Sequence, residues 1–346
     1  MVIMDLRSLT LTELKSEMES LGEKPFRAYQ VYEWLHKKCA LSFDEMSNVG
    51  KGLKEKLAEK FEFESFEKIS VQESKLDCTR KYLFKLSDGN MIESVLMRYH
   101  HGNSVCISSQ AGCRMGCKFC ASTIDGLARS LTPGEMLGQI YEITRDISER
   151  VSNVVVMGSG EPMDNFDNLT RFIEMLTDEN GLNISQRNLT VSTCGLVPKI
   201  KELADKKYQI TLALSLHAPT DEKRKQIMPV ANSYTISETI EACREYFEMT
   251  GRRITFEYSL VAGFNDSDED AQDLSALAKK CGAHVNLIPV NPIKERNYAP
   301  SDTKRIHAFQ NKLEKNGINV TIRREMGRDI DGACGQLRRK VMQGLS

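Results

Sequence analysis

The chain has 346 residues, of which 40% are hydrophobic and 27% charged, with ten cysteines and a formal net charge of −1. That hydrophobic content supplies one large core, or one large and one small, and excludes a disordered chain. The near-zero charge excludes a general electrostatic grip on nucleic acid and leaves only local patches, while no stretch approaches the length of a membrane span.

Residues 10–61 are helical in pattern. Leu11, Leu14, Met18 and Leu21 recur at three- or four-residue spacing until Gly22, and residues 29–35 and 53–61 repeat the signal. A small helical domain over residues 1–65 is expected. It carries Lys24, Arg27, Lys37 and Lys38 around the single tryptophan, Trp34, a group that suits either a solvated face or an RNA contact. Residues 66–98 then turn to strands, at 81–86 and 91–98, with Ser87-Asp88-Gly89-Asn90 as the hairpin turn; a further strand at 105–109 leads into a cysteine-rich loop. Beyond that loop, strand signals at 153–157, 189–192, 210–216, 254–260, 285–288 and 319–322 alternate with helical ones. The helical patterns fall at 133–147, 167–176, 198–204, 236–248, 268–280 and 302–315. This alternation predicts an α/β core over residues 99–340, with parallel strands joined by crossover helices. The best match is a barrel of about six units, open or closed, with a doubly wound sheet as the other option; both gather ligands at the C-terminal ends of the strands.

The loop itself reads Gly112-Cys113-Arg114-Met115-Gly116-Cys117-Lys118-Phe119-Cys120. At about 3% cysteine, a CxxxCxxC window arises by accident in roughly 1% of chains this long, so the spacing calls for a cause. Three thiolates from one short loop are one ligand short of a closed site. Structural zinc would need a fourth ligand from far away, whereas an iron–sulfur cluster can leave one iron open for a substrate or cofactor. Residues 1–17, broken by Asp5, Arg7, Glu13 and Lys15, lack the apolar run of a signal peptide, so a cytoplasmic location is expected. In that reducing compartment the ten cysteines stand for metal ligation, catalysis or burial rather than a permanent disulfide framework.

Polar residues recur where the strands end. Met157-Gly158-Ser159-Gly160-Glu161-Pro162 follows one strand; its glycines allow close backbone approach, and Met163 stands where a dinucleotide fingerprint needs a third glycine. Ser192, Ser215-Leu216-His217 and Asn291 close later strands. On spacing alone Glu93, between Ile92 and Val95, reads as a solvent-facing strand residue, and Cys106, in Ser104-Val105-Cys106-Ile107-Ser108, as a packing residue.

The cysteine loop, with Phe119 before its last cysteine, resembles the radical S-adenosylmethionine superfamily. Five further segments are similar to the RlmN family within it. These are Ser108 to Cys113, Gly158 to Pro162, Ser215-Leu216-His217-Ala218-Pro219, Asn286 to Pro292 and Asp329-Ile330-Asp331-Gly332-Ala333-Cys334-Gly335-Gln336-Leu337. The resemblance runs from about residue 90 to 338 and implies a radical-SAM partial (β/α)6 barrel with a small N-terminal helical, RNA-binding domain and a β-hairpin extension. It implies a methyltransferase acting on C2 of one adenosine in 23S rRNA and of the adenosine 3′ to the anticodon in certain tRNAs, with no DNA or membrane partner. A [4Fe-4S] cluster on Cys113, Cys117 and Cys120 and S-adenosyl-L-methionine are its implied cofactors. Gly160, Glu161, Ser192, Ser215, Leu216, His217 and Asn291 correspond to the S-adenosylmethionine site.

By the same resemblance Cys334 is the methyl-carrying cysteine, Cys106 the partner that forms a transient disulfide with it, and Glu93 the proton acceptor. The chemistry makes this division intelligible. C2 of adenine is an electron-poor carbon with no lone pair and cannot attack a sulfonium methyl, whereas a thiolate can. The resemblance implies that two S-adenosylmethionine molecules are then used, one to methylate Cys334 and one to generate the radical that activates the methyl group, and that an electron donor such as flavodoxin resets the enzyme. A Cfr-type enzyme that methylates C8 of the same rRNA adenosine shares the cysteine set, but Pro162, Ala218 and Pro289 look more like RlmN. A zinc-stabilised RNA-binding module would have no use for Cys106 or Cys334.

Overall fold

The structure, a computed structural model, describes residues 4–63, 66–290, 298–330, 335–342 and 344. The chain opens with β1 (Met4–Asp5), followed by helices α1 (Leu11–Ser20), α2 (Phe26–His36) and α3 (Lys51–Lys60) and by β2 (Phe61–Glu62), which pairs with β1. Thr10 and Glu13 cap α1 reciprocally, each satisfying a backbone amide of the other's residue, which fixes where the helix begins. Leu14, Met18, Val31, Leu35, Leu53 and Leu57 close these helices over a core of their own.

A ten-stranded sheet follows. Its first part is antiparallel: β3 (Glu67–Glu73), β4 (Arg80–Lys85), β5 (Met91–Tyr99) and β6 (Gly102–Ile107). A two-stranded ribbon, β7 (Gln110–Gly112) and β8 (Leu127–Ser130), brackets the cysteine loop. From there the units run α4 (Pro133–Ile147), β9 (Val151–Val156), α5 (Phe166–Thr177), β10 (Leu189–Thr193), α6 (Val197–Asp205) and β11 (Thr211–Ser215). They continue as α7 (Asp221–Ile227), α8 (Ile236–Thr250), β12 (Ile254–Leu260), α9 (Asp268–Lys280), β13 (His284–Pro289), α10 (Thr303–Lys315), β14 (Val320–Ile322) and α11 (Gln336–Met342). The strand order is β14-β13-β12-β11-β10-β9-β6-β5-β4-β3, parallel from β6 to β14. Among the described residues the sheet therefore ends at two edges, β3 and β14, and the barrel is partial. The hairpin expected as an extension is hydrogen-bonded into this same sheet through β5 and β6.

Parallel strands covered on both faces are usually continuous apolar runs. Here they alternate, and the register shows why. Val154, Val156, Leu212, Leu214, Phe256, Tyr258, Val285 and Leu287 join the helices in the main core, with Tyr258 stacked on Phe309 of α10 at 5.7 Å. The opposite face carries Thr190, Ser192, Thr211, Ser215, Thr255, Glu257, Ser259 and Asn286. That polar lining makes the concave side a place for a ligand rather than a second core. The helical N-terminal unit docks on the outside, where His36 Nδ1 lies 2.6 Å from the Tyr141 hydroxyl of α4 and the Tyr32 hydroxyl donates to Asp178 at 3.1 Å.

Candidate active site

The cysteine loop is held shut at its base. Cys113 N–H donates to the Gly126 carbonyl at 2.9 Å, and Gly112 there has φ +81°; a Cβ at that position would fall 2.1 Å from the same carbonyl oxygen, so only glycine fits. Inside the loop the Thr123 hydroxyl donates to the carbonyls of Cys117 at 3.0 Å and Cys120 at 2.9 Å. Cys113 and Cys117 are buried and Cys120 half-buried. Burial, together with one another's charge, pushes their thiols up: Cys113 to about 12, and Cys117 also well above the ordinary thiol value. The three sit close enough to oppose one another's ionisation, and a cation among them would reverse that balance.

The loop after β9 is laid against the end of β6. Gly158 N–H donates to Ile107 O at 2.9 Å, Ser159 O accepts from Ser109 N–H at 2.9 Å, and Glu161 N–H donates to the Gln110 side chain at 2.9 Å. Gly160, at φ +106°, passes so near Gln110 that a Cβ would stand 2.6 Å from that residue's own Cβ. The Glu161 carboxylate accepts from the amides of Cys194 at 2.7 Å and Met163 at 3.1 Å. Burial raises its pKa and these amides oppose the rise. Ser192 donates to Val156 O at 3.0 Å. His217 has φ +56°; its Nδ1 accepts from Ser259 N–H at 3.0 Å and its ring meets Phe119 edge-on at 4.6 Å. Burial, and then the charge of Arg224, hold its pKa down to about 3, so the imidazole is neutral with its hydrogen on Nε2. Leu216 is fully buried beside it and Ser215 is half-buried. These residues gather at the C-terminal ends of adjacent strands. Asn291 lies outside the described residues.

Glu93 is the clearest departure from the reading by spacing. It is 6% exposed, on the concave face of β5, with Lys81 Nζ 3.0 Å from Oε2. The same oxygen accepts from Gly335 N–H at 2.6 Å, and Oε1 accepts from Arg338 N–H at 2.7 Å, so Glu93 caps α11. Gly335 packs against Ala121 and Ser122, directly after Cys120: a Cβ there would stand 3.0 Å from the Ala121 Cβ. On the other side of residues 331–334, Asp329 accepts from the Ser74 hydroxyl at 2.6 Å and Lys75 N–H at 2.8 Å, and Gly327 N–H donates to Asp77 at 2.9 Å. Cys106 is buried on β6, level with Val95 and Lys81 and so on the same face as Glu93. Cys334 lies outside the described residues. No disulfide joins the described cysteines.

Several positioning residues escape the sequence pattern. Gln139, buried in α4, brackets Ser108 at 2.8 Å and 2.9 Å. Asn265, also buried, donates to the carbonyls of His217 and Ser259 at 2.7 Å each. Arg224 donates to the carbonyls of Cys194 and Leu216 at 2.6 Å and 3.2 Å. A polar residue on the buried stripe of an otherwise apolar helix face was the one available signal, and it applies to Gln139 alone. The basic and aromatic side chains near Trp34 gather on α2 and just after it: Lys38 Nζ lies 4.0 Å over the Trp34 ring, Arg27 lies 4.9 Å over Phe26, and Phe26 and Tyr29 are exposed. Among the described residues no helix is long and apolar enough to cross a membrane.

Residues 107–275 match the Radical SAM superfamily, and residues 4–63 the Ribosomal RNA large subunit methyltransferase N-terminal domain. A radical SAM methyltransferase from Sphaerobacter thermophilus has the same fold, with a TM-score of 0.92 and 40% identity over 96% of this chain and 98% of its own. A three-cysteine loop at the mouth of a partial barrel with a polar lining is thus that of a radical S-adenosylmethionine methyltransferase, whose cofactors are a [4Fe-4S] cluster and S-adenosylmethionine. Two relatives are more similar in sequence, each a probable dual-specificity RNA methyltransferase RlmN. That of Lachnospira eligens is 65% identical over 99% of this chain and 97% of its own length, and that of Lachnoclostridium phytofermentans 60% over 97% and 94%. The chain belongs to the RlmN family.

The residues present fit the cluster. Cys113, Cys117 and Cys120 come from one loop closed by its own backbone hydrogen bonds, two of them buried and one half-buried. Arg224, fully buried, keeps its Nη1 without a hydrogen-bond partner among the described residues, and such a buried cation suits an anionic group beside it.

Proposed function

We propose that this protein methylates C2 of an adenosine in 23S rRNA and of the adenosine 3′ to the anticodon in tRNA, through a methylated Cys334. The observation that carries the reading is the double contact of Gly335: its amide is held by Glu93 at 2.6 Å and its backbone lies against Ala121, so the chain next to Cys334 is drawn to the cysteine loop and to the face that bears Cys106.

In this reading Cys113, Cys117 and Cys120 would hold the cluster, and Gly160, Glu161, Ser192, Ser215, Leu216, His217 and Asn291 would line the S-adenosylmethionine pocket. When bound, these cofactors supply a methyl group, an electron and a radical able to take hydrogen from a methyl. The chain does the rest. Cys334 accepts the methyl group as a thiolate and presents it to the adenine, because the ring carbon cannot attack a sulfonium itself. Glu93 receives the C2 proton: among the described residues Lys81, Gly335 and Arg338 take three of the four acceptor positions of its carboxylate and aim it. The Cys106 thiolate attacks the sulfur of Cys334, the bond from that sulfur to the transferred carbon breaks with its electron pair passing to the base, a proton completes the methyl group, and the disulfide left behind is reopened by two electrons from an external reductant such as flavodoxin. Neutral His217 offers Nε2–H as a hydrogen-bond donor without adding charge to the pocket. Exposed Phe26 and Tyr29 and half-buried Arg27 on α2, with exposed Lys38 just beyond it, supply stacking and phosphate contacts suited to RNA.

Nucleoside mass spectrometry of rRNA and tRNA from cells lacking and then regaining the protein tests this. Appearance of 2-methyladenosine in both RNAs is expected. Appearance of the C8 isomer instead, or of neither, would refute the assignment.

A further inference from the structure

Arg224 lies on α7, the short helix between β11 and α8, and its guanidinium is fully buried. Nε donates to Leu216 O at 3.2 Å, and Nη2 donates to Cys194 O at 2.6 Å and Ser215 O at 3.4 Å. Nη1 is buried without a partner among the described residues. All three acceptors are neutral carbonyls at the C-terminal ends of β10 and β11, so a full positive charge has been taken out of water with no anion in hydrogen-bond contact among the described residues. Removing a cation from water in this way is expensive unless a negative group stands close by.

The surroundings point to one such group. Lys118 N–H, inside the cysteine loop, donates to Ile227 O at the end of the Arg224 helix at 2.8 Å. Cys117, Cys194, Ile227 and Met228 pack together in a single buried cluster. Gly195, with φ +102°, leaves the space the guanidinium occupies: a Cβ there would stand 3.2 Å from Nη2. A four-iron cluster held by three thiolates is anionic, and it gains a further negative charge on reduction.

We infer that Arg224 is the fixed counter-charge of the cluster, favouring its reduced state and raising its potential toward that of the electron donor, while its carbonyl bonds tie the loops after β10 and β11 to the same point. It acts through the cluster and is a positioning residue. The inference rests on Cys113, Cys117 and Cys120 being the cluster ligands.

The test compares the full chain, reconstituted anaerobically with iron and sulfide, as wild type, R224K and R224Q. Redox titration followed by electron paramagnetic resonance gives the midpoint, and melting with and without the cluster gives its stabilisation. R224K keeps the charge and is expected to titrate near wild type. R224Q is expected to shift to more negative potential, with the ratio of reduced to oxidised cluster about tenfold lower at a fixed solution potential, or about 59 mV for a one-electron couple. Cluster loading should raise the melting temperature less in R224Q than in wild type or R224K. The lost carbonyl bonds cancel in that comparison, since they are missing with and without the cluster. An R224Q chain that folds and takes up no iron while R224K loads fully would also support the counter-charge. An unchanged R224Q midpoint, equal shifts in R224K and R224Q, or an R224Q chain that fails to fold without any cluster would overturn it. A wild-type chain that takes up no cluster, or a Cys113→Ala variant that keeps one as wild type does, would instead remove the ligand reading.

Discussion

Glu93 carries two tasks at once, and Glu93→Gln separates them. The carboxylate holds Lys81 at 3.0 Å, with side-chain exposures of 7% and 0%, and fastens α11 through two backbone amides. Removing one partner of a buried ion pair costs roughly 3–5 kcal/mol, and a hydrogen bond to a charged group contributes about 1.5–3 kcal/mol. Glutamine keeps the shape and a single carbonyl oxygen, so at most one of the two amides keeps its acceptor, and that acceptor is no longer charged. Release of residues 335–342 from the barrel should become easier by about 3 kcal/mol, which is about 100-fold in the opening equilibrium at 1.4 kcal/mol per factor of ten. Hydrogen exchange read by mass spectrometry reports this directly: peptides covering α11 should exchange about 100-fold faster, with peptides from β11 and β12 unchanged. Lys81→Met should cost less in the Glu93→Gln background than in wild type, because the pair is already broken. Exchange of α11 within threefold of wild type, or a Lys81→Met cost equal in both backgrounds, would refute the anchoring role.

Gly112→Ala must force a Cβ to within 2.1 Å of the Gly126 carbonyl at φ +81°, so the loop should open and the purified chain should hold less than half the wild-type iron by metal analysis. His36 is buried neutral beside Tyr141, its pKa brought from an ordinary 6.5 to about 3 by burial and then by the charge of Arg7. The unfolded chain takes up a proton below about pH 6.5 that the folded chain refuses until about pH 3, so stability falls as pH drops through that window, by at most about 1.4 kcal/mol per unit. His36→Gln should therefore lose melting temperature between pH 7 and pH 5 less steeply than wild type, and parallel slopes would contradict the assignment. Cys106→Ala should accumulate RNA joined covalently to Cys334, visible as a slowly migrating band on a denaturing gel; free methylated product at normal yield would assign resolution to another group.

Local physics made much of this legible in one dimension. The alternation of short β-branched runs with amphipathic stretches follows from backbone periodicity, and it gave the strand–helix order of the barrel. The three-cysteine loop is just as local, because its ligands come from eight consecutive residues, from Cys113 to Cys120. Two helices left no such trace. In α7 the run Asp221 to Gln226 is charged or polar at every position, so no apolar period announces it, and α11 is too short for a stripe to repeat.

The sequence by itself determined the type of most elements and the chemistry of the cysteine loop, since both depend on neighbours a few residues apart. Tertiary structure alone decided which polar side chains became machinery. Glu93 alternates with apolar neighbours as a solvent-facing residue would, but its side of the sheet is the concave one, and the two amides it accepts from arrive from 242 and 245 positions further along the chain. Arg224 would be an ordinary surface charge were its helix not folded over the ends of β10 and β11. Whether a polar group is solvated or buried depends on what the chain brings back over it, and that is fixed by contacts the local pattern does not encode.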